Sequence, residues 1–231
     1  ATTGNDTTGD GSLANPYASL SKALTVVTSG GTILVADGTY SEDTAATGYF
    51  RPTQIFSSYV TIRSASGTAS NVIIRGASNA TYNTLIQNNA AYIRFENVTF
   101  GMRLSTNGSA LRLANSNNIQ FVGCKFATQS DSGGTRYGVL LQPSGATVID
   151  SILFDNCTWT QTGTFAARGV SVVWTSGNTI SNVSLTNCTA TMQSDCLYLQ
   201  GGGYTITGGS YTSTDTHAIL FGADSNTGGN L

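Results

Sequence analysis

Apolar residues in this chain recur on two periods, and the change from one to the other marks the first boundary. Tyr17, Leu20, Ala23, Leu24 and Val27 are spaced three and four apart, as on one face of a helix. Asn15 is a natural N-cap, Pro16 suits the first helical position and Gly30-Gly31 ends the run, so the pattern predicts one helix over residues 16–28. Beyond it the period falls to two. Thr32–Ala36, Tyr59–Arg63 and Asn71–Arg75 alternate as strands, with an Asp37-Gly38 turn after the first. A single amphipathic helix ahead of many strands suits a cap over an open sheet end.

The strands then repeat. One six-residue unit reads Phe95-Glu96-Asn97-Val98-Thr99-Phe100, Phe121-Val122-Gly123-Cys124-Lys125-Phe126, Phe154-Asp155-Asn156-Cys157-Thr158-Trp159 and Leu185-Thr186-Asn187-Cys188-Thr189-Ala190, with a weaker copy over Ile206–Tyr211. Its first positions (95, 121, 154, 185, 206) are separated by 26, 33, 31 and 21 residues. A second unit alternates with it: Ala110–Leu113, Gly138–Leu141, Gly169–Val172, Cys196–Leu199 and Ala218–Phe221. Two short strand units repeating in step describe one coil of a solenoid per repeat. The uneven steps imply insertions at corners, such as 128–136 and 160–167. A propeller blade needs four strands in ~40–45 residues, and a leucine-rich repeat needs a Leu/Asn ladder that is absent. The expected fold is an all-β right-handed parallel β-helix of about seven to nine rungs. It is one domain over residues 1–231, with rungs over 32–222 and a C-terminal end, Asp224–Leu231, that carries no cap.

The repeat also explains the cysteines. Cys124, Cys157 and Cys188 share one repeat position with Val98 and Gly209, and together with Cys196 they fit no metal-ligand spacing. Small interior thiols are expected, although rungs ~4.8 Å apart leave a disulfide geometrically open.

Composition narrows the function classes. Only 10% of residues are charged and the net charge is −2, so there is no basic surface for a nucleic-acid backbone. No apolar run approaches the ~20 residues of a membrane span. Gly, Ser, Thr and Asn fill the deficit of charge, which suits turns and solvated strand faces.

The opening, Thr2–Ser12 followed by Asn15-Pro16-Tyr17-Ala18-Ser19-Leu20-Ser21-Lys22-Ala23-Leu24 and later Gly31–Tyr40, resembles that of pectate-lyase-like β-helix proteins. That superfamily includes polysaccharide lyases, polygalacturonase-type hydrolases, surface adhesins and phage tailspikes. The resemblance implies the fold and an extracellular place (secreted, cell-surface or virion), with a polysaccharide or cell-surface glycan as partner. It also admits a homotrimer or a part of a larger chain.

Aligning the second unit puts Tyr137, Arg168, Asp195 and His217 at one point of successive rungs. A carboxylate beside the chain's only His and an Arg suits acid/base chemistry. Gln193–Leu197 followed by Thr216–Ile219 is similar to the Asp-Asp-Cys and Gly-His-Gly rungs of polygalacturonase-type hydrolases, which would make Asp195 the general acid and His217 the active-site His. Ser194 and Arg168 replace two water-positioning Asp residues of that pattern, and the downstream Arg-Lys motif is absent. The alternative is a strand-edge Asp paired with Arg168. A lyase would need a cation, usually calcium, on clustered carboxylates. Asp6 and Asp10 resemble the start of a calcium loop and are the candidate metal ligands, although Tyr17 stands where the bidentate Glu belongs; a plain turn is the alternative. Tyr49, Phe50, Tyr59, Tyr82, Tyr137, Trp174 and Tyr198 are the aromatics outside the repeat core, and Tyr137, Trp174, Tyr198 and Gln200 are the candidate sugar contacts. The Asn-x-Ser/Thr sites at Asn97, Asn156 and Asn187 lie within repeat strands on this reading, so they do not indicate glycosylation. The leading expectation is polysaccharide binding. The alternatives are a polysaccharide lyase or glycoside hydrolase, with a groove over the Asp195 column, and a structural spike or adhesin module with a self-complementary apolar flank.

Overall fold

The structure, a computed structural model, describes residues 3–41, 50–76, 82–87, 89–101, 108–130, 134–143, 147–163, 166–174 and 177–222. Helix α1 spans Leu20–Val26. The strands follow coil by coil: β1 (Thr32–Val35) and β2 (Gly38–Ser41), then β3 (Ile55–Ser64), β4 (Val72–Arg75) and β5 (Tyr82–Ile86). The third coil holds β6 (Ala90–Glu96), β7 (Thr99–Gly101) and β8 (Gly108–Leu113), and the fourth β9 (Ser116–Val122), β10 (Lys125–Ser130) and β11 (Arg136–Leu141). Then come β12 (Val148–Asp155), β13 (Thr158–Gly163) and β14 (Ala167–Val172), and β15 (Thr179–Thr186), β16 (Thr189–Met192) and β17 (Leu197–Leu199). The last coil holds β18 (Tyr204–Thr207), β19 (Ser210–Ser213) and β20 (Ile219–Phe221).

Every strand pairs in parallel with its counterpart one coil away. Sheet 1 runs β1-β3-β6-β9-β12-β15-β18, sheet 2 runs β2-β4-β7-β10-β13-β16-β19 and sheet 3 runs β5-β8-β11-β14-β17-β20. This is the right-handed parallel β-helix of the pectate-lyase-like kind, with seven coils among the described residues. Both repeat units align in register as the sequence spacing requires. Phe95, Phe121, Phe154, Leu185 and Ile206 face one another across sheet 1, and Leu111, Val139, Val170, Leu197 and Ile219 across sheet 3.

The six-residue unit is a corner rather than a strand, which corrects the placement of the Asn-x-Ser/Thr sites. Its first two residues end a sheet 1 strand and its last two begin a sheet 2 strand. Between them sit Asn97-Val98, Gly123-Cys124, Asn156-Cys157, Asn187-Cys188 and Gly208-Gly209. The first residue of each pair has a positive φ, between 51° and 66°. Asn and Gly are the residues that enter this region at least cost, which is why they fill the column. A Cβ on Gly123 would lie 2.3 Å from Asn97 Oδ1 as well as in this conformation. Gly123→Ala should therefore destabilise by about 1–2 kcal/mol, read as a drop in thermal midpoint.

The corner aims side chains inward. Phe95, Phe121 and Phe154 stack at centroid distances of 5.5 and 5.0 Å, and Phe100, Phe126 and Trp159 form a second stack at 5.3 and 5.2 Å. The two columns meet edge-to-face. The Cys124, Cys157 and Cys188 thiols donate to the carbonyls of Phe95, Phe121 and Phe154 at 3.4, 3.3 and 3.4 Å. All four cysteines are free and buried, as expected of interior thiols, and burial pushes the Cys157 thiol well above its ordinary value. A thiol reagent should label none of the four in the folded protein and all four in denaturant; rapid labelling of the native chain would contradict this packing.

Helix α1 begins later than the sequence predicts. Ser19, not Asn15, is the N-cap, its side chain accepting from the Lys22 N–H at 3.0 Å. The Asn15 and Pro16 carbonyls instead accept from Asp10, Gly11 and Asn5, which holds that segment in an irregular turn. Leu20 and Leu24 are buried and join the core of the first rung, so the helix does cover it. The C-terminal stretch Asp224–Leu231 lies outside the described residues.

Candidate functional site

Sheet 3 brings the predicted column together on its outer face. Tyr137 pairs with Arg168, and the N–H groups of Gly169 and Cys196 bond to the carbonyls of Asp195 and His217, which sets the four residues side by side. Asp195 is 3% exposed. Its Oδ2 meets Arg168 Nε at 2.9 Å, and its Oδ1 accepts from Thr216 Oγ1 at 2.9 Å and meets His217 Nδ1 at 3.1 Å. Thr216 has no signal of its own in the sequence and was not anticipated as a partner. A carboxylate this buried persists because its oxygens are occupied by donors on both sides.

Arg168 is in turn laid over Tyr198, its Cζ 4.2 Å from the ring centroid. Tethered at Nε by Asp195 and supported from below by an aromatic face, the guanidinium is held in one plane. Tyr137 lies in the field of both Arg168 and Tyr198; burial pushes its phenol up, against the pull of the Arg168 charge. The Tyr198 hydroxyl accepts from Gln200 Nε2 at 3.0 Å, and Gln200 Oε1 accepts from the Trp174 N–H at 3.2 Å. The Trp174 indole N–H donates to the Asn178 carbonyl at 3.1 Å. Five candidates (Tyr137, Arg168, Asp195, Tyr198, His217) thus form one cluster. Trp174 and Gln200 join it only through Tyr198, at the corner beyond β14 and β17, with their polar groups turned to the protein.

The other candidates separate. Asp6 Oδ1 accepts from the N–H groups of Ala18 and Ser19 at 2.8 and 3.0 Å, and Asp10 Oδ1 accepts from Ser12 N–H at 2.8 Å. Burial works against the Asp6 charge, but the donors at Ser19 and Ala18 outweigh it and hold the carboxyl below its ordinary value; Ser12 does the same for Asp10. Asp6 ties the N-terminal segment to the start of α1, and Asp10 braces its own turn. Among the described residues no three His, Cys, Asp or Glu side chains converge, so a calcium cage does not fit these donors. Phe50 belongs to the core, fully buried beside Thr84, and is no sugar contact. Its burial follows from closing the first coil against the third sheet. Tyr49 and the Tyr82 side chain lie outside the described residues. A cleft of about 430 Å³ opens between α1 and the first rung, lined by Leu20, Val27, Ile33 and Tyr40, far along the solenoid from Asp195.

No curated protein matches the chain in sequence. Among solved structures it is similar to the pectin methylesterase from Aspergillus niger in deglycosylated form, with 14% identity over 91% of this chain and 84% of that one and a TM-score of 0.43. It is also similar to the penultimately deglycosylated form of that enzyme, which keeps an N-acetylglucosamine stub, with 15% identity over 90% and 83% and a TM-score of 0.42. The family model described as "Protein of unknown function (DUF1565)" matches residues 2–216, which is nearly all of the β-helix described above, and the chain belongs to that family.

Proposed function

We propose that the outer face of sheet 3 binds a polysaccharide, in a protein that works outside the cytoplasm. The observation that carries this reading is the Arg168 guanidinium, held over the Tyr198 ring at 4.2 Å and tied to a nearly buried Asp195. Ordering an arginine before the ligand arrives removes an entropic cost of binding. The remaining N–H donors of Arg168, the Tyr137 and Tyr198 phenols and the exposed His217 ring together offer hydroxyl partners and an aromatic surface, the two features a sugar presents.

Affinity electrophoresis through gels containing acidic or neutral polysaccharides tests it. Wild type is retarded by at least one of them, and Arg168→Ala and Tyr198→Ala bind roughly tenfold more weakly. Retardation by none, or equal retardation of all three proteins, would overturn the reading.

Degradation of the bound polysaccharide is a second reading, and one observation favours it. His217 Nδ1 sits on Asp195 Oδ1 at 3.1 Å while the His217 side chain is 57% exposed. A carboxylate that orients one ring nitrogen leaves the other, Nε2, to carry a proton to or from a ligand. On this geometry His217 rather than Asp195 is the exchanging group, because Asp195 already accepts from three neighbours. Release of reducing ends by wild type and not by His217→Ala supports cleavage; no release from any polysaccharide removes it and leaves binding.

A further inference from the structure

A second patch lies on the outer face of sheet 1, on a different side of the solenoid from Asp195. From β6 to β15 each strand of this sheet carries one residue in the left-handed region: Tyr92 at φ 58°, Asn118 at 51°, Ser151 at 56° and Asn182 at 51°. The registers on either side are Ala91, Asn117, Asp150 and Ser181, and Ile93, Ile119, Ile152 and Val183, so the four form one column of left-handed bends across which the register is unbroken. Asparagine enters this region readily and a small serine at modest cost, but a bulky side chain there is an outlier. Tyr92 is the misfit of the column, and it stays partly exposed rather than filling the core.

What the strained backbone achieves is a ring pair. Tyr92 and Tyr59 meet edge-to-face with centroids 5.5 Å apart and planes at 71°. Beside them Gln120 Oε1 accepts from Arg94 Nη1 at 3.1 Å, and the Gln120 side chain also reaches the Tyr59 phenol. Arg94 is closed on Glu96 at 2.5 Å, its charge still reaches the Tyr59 phenol, and the exposed Arg63 stands opposite Glu96 in the register. Asn118 and Asn117 add amides one rung on. Phenols and amides around the two rings present hydroxyl partners and apolar faces.

We propose that Tyr59 and Tyr92 are a stacking platform for the rings of a neutral polysaccharide, a second carbohydrate contact independent of the Asp195 cluster. Backbone strain persists where the surrounding fold over-determines it and where function uses the side chain it displays. The side chains grouped around the rings include the uncharged amides of Gln120, Asn117 and Asn118, which suit the hydroxyls of a neutral sugar chain.

The test uses the whole chain in affinity gels containing hydroxyethylcellulose, xyloglucan, galactomannan or dextran, with thermal denaturation and sedimentation alongside. Wild type is retarded by at least one of the four. Tyr92→Asn and Tyr59→Ala each weaken that binding about five- to tenfold, and Tyr92→Phe keeps it. The thermal midpoint of Tyr92→Asn stays level or rises by up to about 4 °C, because asparagine enters the left-handed conformation at less cost. A ring that only packs would behave oppositely: Tyr92→Asn would melt earlier and bind as wild type does. If Tyr92→Asn loses both stability and binding, Tyr59→Ala decides, since Tyr59 has no left-handed backbone to confound it. Absence of retardation in all four gels overturns the proposal, as do unaltered binding by Tyr59→Ala and self-association of wild type that Tyr92→Asn abolishes.

Discussion

Replacing Phe121 with alanine is expected to cost about 3–5 kcal/mol and to lower the thermal midpoint by roughly 6–20 °C. The side chain is fully buried at the centre of the first aromatic column and against the second. It stacks on Phe95 and Phe154 at 5.5 and 5.0 Å and meets Phe100 and Phe126 edge-on at 5.6 Å each. Truncation leaves a void between three coils whose walls are themselves rings, which cannot collapse into it without tilting the next rung. The loss is therefore shared by two coil interfaces. Calorimetry of wild type and Phe121→Ala measures it; a change below 1 kcal/mol would mean that the stack is not a continuous column.

Asp195→Asn is expected to cost about 1–3 kcal/mol of stability and roughly tenfold in polysaccharide affinity. An amide offers one acceptor where the carboxylate offers two, so either Arg168 or the Thr216–His217 side loses its partner. The remaining partner keeps its donor in a nearly dry site, which is the expensive outcome. Arg168 is 29% exposed, so part of the ion-pair contribution is screened by water, and the estimate sits below that for a fully buried pair. A cycle combining Asp195→Asn with Arg168→Gln separates the two effects: the double variant should lose less than the sum of the singles, by about 0.5–3 kcal/mol. Strict additivity would show that the two side chains do not act together.

Much of the fold is legible in the sequence because the strongest constraint repeats. A Phe that stacks on a Phe one coil above must recur at the coil period, and a thiol that fits beside it must recur three residues later. The column of Tyr137, Arg168, Asp195 and His217 follows from the same register. What stays hidden is set by conformation rather than pattern. The helix start moves from Asn15 to Ser19 because the Asn15 and Pro16 carbonyls serve backbone donors upstream. The left-handed backbone at Tyr92 contradicts local preference, so no propensity argument reaches it. The contact of Arg168 with the Tyr198 ring depends on a side-chain path that alternation does not encode, and the same holds for Thr216 at Asp195.

From the third coil onward the corner from sheet 1 to sheet 2 always takes two residues, whereas the other two corners vary in length. One edge of the prism is length-locked and keeps every rung in phase, while the other two are free to differ. Variation can therefore be written into two edges with little risk to the third. A loop exchanged between β10 and β11, or between β13 and β14, changes what the surface offers without shifting a single ring in the stack. Such a molecule diversifies as a comb does, with an unchanging spine and interchangeable teeth.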